Sequence, residues 1–315
     1  MCHFTLHGRA AFCYRFQDRR QPQCAGRGRR PGMAKKCTVP AVRDRKVARG
    51  GDPLVMLTAY DAPGARMVDR AGADMILVGD SVAMVVLGYD DTLQVTVEDI
   101  AHHTAAVART HPSALVIADM PWMSYHVSTA DTVNNAAMLI RAGAQAVKLE
   151  GGRRRIPMIE ALVAAEIPVM GHIGLTPQSV HAMGGYKVQG RDVEAALDLV
   201  DAAKALAHAG CFSIVLEGVP APVAAMVTEA VEVSTIGIGA GPDCDGQVLV
   251  FHDVLGLEQR VLPKFVRRYA GLFDLGVAAL TEFAGDVRSG EFPDAAECYR
   301  LDDGAADALG LYGAA

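Results

Sequence analysis

The 315-residue chain lacks any apolar run of the roughly 18 residues that a membrane-spanning helix needs, so none is expected. Its seven cysteines are an odd number, and no two form a CxxC pair. That spacing argues against a zinc or disulfide framework, and single reduced thiols in a cytoplasmic setting are the expectation. No GxGxxG follows the first apolar run, which counts against a dinucleotide-binding sheet. Acids are scarce in one stretch: residues 1–50 hold 13 Lys/Arg but only Asp18 and Asp44, a balance of +11. The rest holds 17 basic and 34 acidic residues, a balance of −17. So acidic a body repels a nucleic-acid backbone, and no nucleic-acid partner is expected.

The basic stretch reads as an N-terminal extension, residues 1–50, ahead of a single catalytic domain, 51–315. Residues 1–32 show no periodicity and contain GRGRRPG. Three readings compete for them. The expected one is a disordered tail, or an over-long start with Met33 as the initiator. The others are an Arg-rich, acid-poor organelle transit peptide, which would make the protein organellar, and a nucleic-acid-binding arm.

From residue 51 a rhythm begins. Apolar runs recur at 54–58, 75–79, 114–118, 145–149, 167–171, 212–216, 234–238 and 248–251. Between most of them lie Ala-rich stretches with helical spacing, at 61–72, 96–110, 128–144 and 191–210. Thr96 with Asp99 three residues on, and Ser128 with Thr129, supply helix starts; Gly143 and Gly210 supply stops. Short, almost unbroken apolar strands alternating with helices mean parallel strands buried on both faces. Eight of them predict a (β/α)8 TIM barrel, with a doubly wound open sheet as the alternative.

Four apolar runs stop at a carboxylate: MILVGD at Asp80, ALVIAD at Asp119, AVKLE at Glu150 and SIVLE at Glu217. In a parallel barrel all strand C-terminal ends open on one mouth, where the active site sits. These acids therefore converge. Buried together they repel, and a hard cation with oxygen ligands relieves that, Mg²⁺ before Mn²⁺ or Ca²⁺. Asp80 and Asp119 are the first choices as ligands, with Glu150 a third, direct or through water. Lys148 shares the inward face with Glu150, two residues away. It either receives a substrate carboxylate or forms a structural pair with Glu150. Glu217, if not a ligand, is free to act as general base, or it caps the helix that follows.

Other signals are weaker. His172 ends the fifth run, where it bonds either an oxyanion or loop backbone. His102 and His103 read as surface or helix-packing residues. Gly237, Gly239 and Gly241 permit close backbone approach, a faint phosphate signal. Tyr186 and Lys187 in GGYKVQGR look like a lid or cofactor contact, and the run Arg153–Arg155 has no evident role.

Ten stretches in order carry a resemblance: TAYDAPGA (58–65), VGDS (78–81), VVLGYDDTLQVTVEDIAHHTAAV (85–107), ADMPWMSY (118–125), RAGAQAVKLEGG (141–152), GHIGLTPQS (171–179), GGYKVQGR (184–191), VLEGVP (215–220), IGIGAGPDCDGQVLVFHD (236–253) and LPKF (262–265). Together they resemble the ketopantoate hydroxymethyltransferase family over about residues 40–300. The resemblance implies a barrel of the phosphoenolpyruvate/pyruvate type, bound Mg²⁺ and a homodecamer. It implies transfer of a hydroxymethyl group from 5,10-methylenetetrahydrofolate to 3-methyl-2-oxobutanoate, giving 2-dehydropantoate and tetrahydrofolate, on the way to pantothenate and coenzyme A. By the same resemblance Asp80 and Asp119 bind Mg²⁺ and Glu150 completes the site. Asp80, Ser81, Asp119 and Lys148 contact the keto acid, and Glu217 accepts the proton.

The chain departs from the family pattern at Val82 and Ala83, where Leu-Gly is usual, and at Asp91 and Gln94, where Ser and Pro are usual. A rival reading is a Mg²⁺-dependent oxo-acid lyase or mutase of the same barrel superfamily. Such enzymes carry a catalytic Cys in a KKCGH-like loop, and Cys211 and Cys244 have no such context.

Overall fold

A computed structural model of the protein describes residues 36–311. The readings for residues 1–32 lie outside that span. Within it, eight parallel strands close into a barrel in chain order. They are β1 (Leu54–Thr58), β2 (Met75–Val78), β3 (Leu115–Asp119), β4 (Ala146–Glu150), β5 (Val169–Gly174), β6 (Ser213–Glu217), β7 (Ser234–Ile238) and β8 (Gly246–Leu249). β1 pairs with both β2 and β8, which closes the ring. The expected (β/α)8 barrel is therefore the fold. β3, β4 and β6 each begin and end one residue later than their apolar runs. That slip makes Asp119, Glu150 and Glu217 the last residues of their strands.

The helices are α1 (Val39–Arg43), α2 (Ala62–Arg70), α3 (Val82–Val85), α4 (Val97–Ala108), α5 (Thr129–Arg141), α6 (Ile156–Ala164), α7 (Val180–Met183), α8 (Val193–His208), α9 (Ala221–Ala230), α10 (Phe251–Leu255), α11 (Leu272–Ser289) and α12 (Asp303–Leu309). α4 opens with a capping box, in which Thr96 and Asp99 satisfy each other's backbone N–H groups. After α5 the chain reverses at Gly143, whose φ is +112°, and a Cβ there would stand 2.4 Å from the Ala108 Cβ. Glycine is needed at that position both for its backbone angle and for the close approach of α4.

Period-2 alternation divides each strand's side chains. Outward residues such as Ile76, Val116, Val147 and Ile214 pack under the helices, in one continuous buried cluster. Inward residues Leu54, Met56, Met75, Leu115, Ile117 and Met170 fill the barrel's lower interior. The barrel is thus a packed core with one polar end. Val82 and Ala83, two of the departures from the family pattern, are fully buried in α3 and fill core space. Among the described residues no helix is long and apolar enough to cross a membrane.

Residues 36–50, grouped with the extension on charge, pack onto the barrel's N-terminal end. The Cys37 N–H donates to the Ser113 carbonyl at 2.8 Å. Lys46 is buried, and its ammonium donates to Asp245 Oδ2 at 2.7 Å and to the carbonyls of Thr228 and Val233. Asp245 in turn accepts from the N–H groups of Val47 and Thr235. Net charge could not reveal this, because the partner of Lys46 lies 199 residues away.

One side of the barrel is poorly covered. On the outer faces of β1 and β8, Val55 is 47% exposed and Gln247 is also exposed. α11, the long helix after β8, buries none of its residues.

Lys46→Met is expected to leave the Asp245 carboxylate buried and unpaired. The loss should be about 3–5 kcal/mol of folding stability. Denaturant melts would show it, with partial recovery when Asp245→Asn is added.

Candidate active site

The register of neighbouring strands assembles the mouth. Asp119 pairs in register with Lys148 across β3 and β4, and Glu150 with His172 across β4 and β5. Glu217 lies two residues past Val215, the register partner of His172. Asp80 and Ser81 follow β2 at the same end. Asp80, Ser81, Asp119, Lys148, Glu150, His172 and Glu217 all line one cavity of about 1040 Å³. Every site residue expected from the sequence is therefore brought together.

The contacts form a chain. Lys148 Nζ stands 2.6 Å from Asp119 Oδ1 and 3.9 Å from Glu150 Oε1. His172 is the bridge: Nδ1 lies 3.3 Å from Glu150 Oε1, and Nε2 lies 3.3 Å from Glu217 Oε2. The Asp80 N–H donates to Asp119 Oδ2 at 3.1 Å. Ser81 Oγ is 2.9 Å from the Tyr60 hydroxyl. Sequence alone left His172 undecided between oxyanion and loop backbone; its neighbours are instead two carboxylates and a lysine.

Burial and charge set the protonation preferences. Burial, and then the neighbouring Asp119 and Glu150, push the Asp80 carboxyl well above the usual carboxylate range. Burial likewise raises Asp119, although Lys148 opposes it. Burial would raise Glu150 too, but His172 and Lys148 outweigh it and hold Glu150 low. Burial disfavours the Lys148 ammonium, yet Asp119, Glu150 and Asp80 more than compensate and raise its pKa. Burial and Lys148 push His172 down, but Glu150 and Glu217 prevail and bring it to about 9.

With all four acids ionised, four carboxylates would face two cations, an excess of two negative charges, and the raised Asp80 and Asp119 reflect that excess. A divalent cation offsets that excess, and hard oxygen donors favour Mg²⁺. Among the described residues no three His, Cys, Asp or Glu side chains form a ready-made metal site. Asp80 and Asp119 fit as the direct pair. Both Glu150 oxygens are engaged, Oε1 by His172 and Oε2 by the Gln178 N–H at 3.1 Å, and so are both Asp119 oxygens, Oδ1 by Lys148 and Oδ2 by the Asp80 N–H; a cation would share these oxygens, with Glu150 a third ligand directly or through water.

Tyr186, Lys187, Arg260 and Phe265 also line this cavity. Tyr186 and Lys187 therefore sit on its wall, where a lid or cofactor contact was expected. Gly239, with φ of +62°, makes room for the Phe265 ring, 2.6 Å from where a Cβ would stand. Packing explains that glycine without a phosphate. His103 joins α4 to the Tyr60 carbonyl at 2.7 Å, a helix-packing role. The family model for ketopantoate hydroxymethyltransferase matches residues 36–295.

The chain belongs to this family. It is an enzyme of the hydroxymethyltransferase class. The 3-methyl-2-oxobutanoate hydroxymethyltransferase 2 of Bradyrhizobium diazoefficiens is 56% identical over 85% of this chain and 91% of the relative. The 3-methyl-2-oxobutanoate hydroxymethyltransferase of Syntrophobacter fumaroxidans is 57% identical over 83% of this chain and 92% of its own. Among solved structures, phosphonopyruvate hydrolase aligns with a TM-score of 0.54 at 16% identity, over 88% of this chain and 95% of that one. Phosphoenolpyruvate phosphomutase from Streptomyces platensis subsp. rosaceus aligns at 0.53 and 16%, over 82% and 91%. At that identity these two speak for the barrel fold alone.

The shift of His172 has a measurable sign in metal-free protein. Its folded pKa of about 9 exceeds the unfolded value of roughly 6.5. The stabilisation, on the order of 3 kcal/mol, is complete below pH 6.5 and is lost as pH rises through 9. Urea midpoints in EDTA should fall across that window, and His172→Gln should flatten the fall.

Proposed function

We propose that the protein transfers a hydroxymethyl group from 5,10-methylenetetrahydrofolate to 3-methyl-2-oxobutanoate. The products are 2-dehydropantoate and tetrahydrofolate, in pantothenate and coenzyme A biosynthesis. One observation carries this reading beyond family membership. Glu217 stands at the rim of a buried cluster of Asp80, Asp119, Lys148 and Glu150, tied to it through His172. An anionic keto acid and a proton acceptor need that pairing of a cation-holding pocket with a separate carboxylate.

In this reading Asp80 and Asp119 hold Mg²⁺, with Glu150 completing its surroundings. Bound Mg²⁺ supplies Lewis-acid stabilisation of the substrate oxygen that gains charge, worth several kcal/mol. Asp80, Ser81, Asp119 and Lys148 seat the keto acid, with the ammonium receiving its carboxylate. Glu217 takes the proton from C3. The resulting carbon nucleophile attacks the methylene carbon of the folate as one of its two carbon–nitrogen bonds breaks, water supplies the hydroxyl oxygen as the second breaks, and the protons from C3 and from water end on the two nitrogens of tetrahydrofolate. His172, held between Glu150 and Glu217, keeps the base aimed inward and offsets its charge. The small acid fills a fraction of the cavity, and the part lined by Tyr186 and Lys187 suits the larger co-substrate. The lyase or mutase reading needs a cysteine at the site, and among the described residues none lines the cavity. The buried single thiols of Cys37, Cys211 and Cys244 support a reducing, cytoplasmic setting.

Assembly with further copies, a homodecamer by family likeness, belongs to the same reading. α11 presents Phe273, Val277, Leu280, Phe283 and Val287 to solvent, Leu280 at 69% exposure. The poorly covered outer faces of β1 and β8, with Val55 and Gln247 exposed, are a candidate surface for that helix of another copy, and every copy carries both. So much exposed apolar area on one helix calls for a protein partner.

Glu217→Gln should cut exchange of the C3 proton of 3-methyl-2-oxobutanoate in D₂O by about 10²–10⁴-fold, read by NMR, with keto-acid binding kept. Exchange at the parent rate would remove Glu217 from its role. Leu280→Asp with Phe283→Asp should lower the oligomeric mass in sedimentation. A parent that sediments as a monomer would end the assembly reading.

A further inference from the structure

We infer that Gln178 is a positioning residue for the carboxylate ring: it sets which oxygens of Asp80 and Glu150 face the cavity. The inference rests on the mouth being the cation and keto-acid site. Gln178 sits in the turn Pro177–Ser179 after β5 and is 4% exposed. Each of its side-chain polar atoms is engaged. Nε2 donates to Asp80 Oδ2 at 2.9 Å and to the Met120 carbonyl at 3.0 Å. Oε1 accepts from the Tyr125 hydroxyl at 2.6 Å. The Gln178 backbone N–H donates to Glu150 Oε2 at 3.1 Å.

The amide cannot be turned around. The Tyr125 hydroxyl accepts from the Glu150 N–H at 3.2 Å, so its proton is free to go to an acceptor, Oε1. The Met120 carbonyl only accepts, so it must face the NH₂ group. Both amide protons are then committed, one to Met120 and one to Asp80 Oδ2. A carboxylate rotates in a broad, two-fold well and has no orientation of its own. Tied through Oδ2, Asp80, which lines the cavity, keeps Oδ1 free of the amide. Tied through Oε2, Glu150 turns Oε1 toward His172 and Lys148. One buried amide thus ties the segments after β2 and β3 and the end of β4 to the loop after β5.

A second layer holds the orienting hydroxyl in place. Tyr125 is 1% exposed, and the Arg155 guanidinium lies over its ring at 5.3 Å. The arginine run after β4 acquires a role here: Arg155 packs the residue that aims Gln178.

Gln178→Met keeps length and volume and removes every side-chain hydrogen bond. Calorimetric titration of metal-free parent and variant with Mn²⁺, and separately with 3-methyl-2-oxobutanoate, is the test, with thermal melts alongside. Loss of outer-shell partners typically costs 10–100-fold in metal affinity, and a weakening of that size in folded variant is expected. A purely structural Gln178 would lower the melting temperature and leave both affinities of the folded protein within two-fold; that result overturns the inference. If Gln178→Met does not fold, Tyr125→Phe decides by the same criterion, with a several-fold weakening expected. A parent that binds keto acid but no Mn²⁺ removes the metal from the functional reading, and keto-acid affinity then judges Gln178 alone. A parent that binds neither overturns both.

Discussion

The mouth of this barrel depends on the buried pair of Lys148 and Asp119. Four carboxylates gather where strands end, and each is costly to bury. Without a cation among them they would protonate or draw in water. Lys148 comes up from β4 between Asp119 and Glu150 and lets both stay out of bulk solvent. His172 extends the compensation one strand further, to Glu217. Two cations against four acids leave the centre short of positive charge. The site is therefore poised to take a cation and an anionic acid together.

Much of this was legible in the chain. Apolar runs that stop at Asp80, Asp119, Glu150 and Glu217 give both the barrel and its mouth, because parallel strands align their C-terminal ends. Period-2 spacing places Lys148 on the inward face. Gln178, Tyr125 and Arg155 carried no comparable signal. They act through side-chain bonds between segments after β3, β4 and β5, and such pairings leave no periodic trace. The one clue was the presence of Tyr125 in ADMPWMSY and of Gln178 in GHIGLTPQS, stretches that run out of β3 and β5; Arg155 stands in neither.

Charge counting erred at the other end. The basic residues of 36–50 were grouped on charge with the N-terminal extension. Lys46 instead closes the barrel's floor against Asp245, and the contact sits where β8 begins. Composition describes a segment's average; a single buried ion pair decides where the segment goes. α11 is a second case: the fold leaves its apolar stripe uncovered, and no expectation from the sequence addressed it.

The floor pair and the mouth cluster stand at opposite ends of one barrel, separated by Met56, Met75, Ile117 and Met170. Two charged systems isolated in this way bear separate selective pressures. Changes at the mouth that retune substrate preference leave the floor's anchoring intact, and drift near the floor does not reach the chemistry. Methionine suits the intervening layer, since its unbranched side chain re-forms contacts as neighbours change. Such a barrel can acquire new reactions at one end without relearning how to fold at the other.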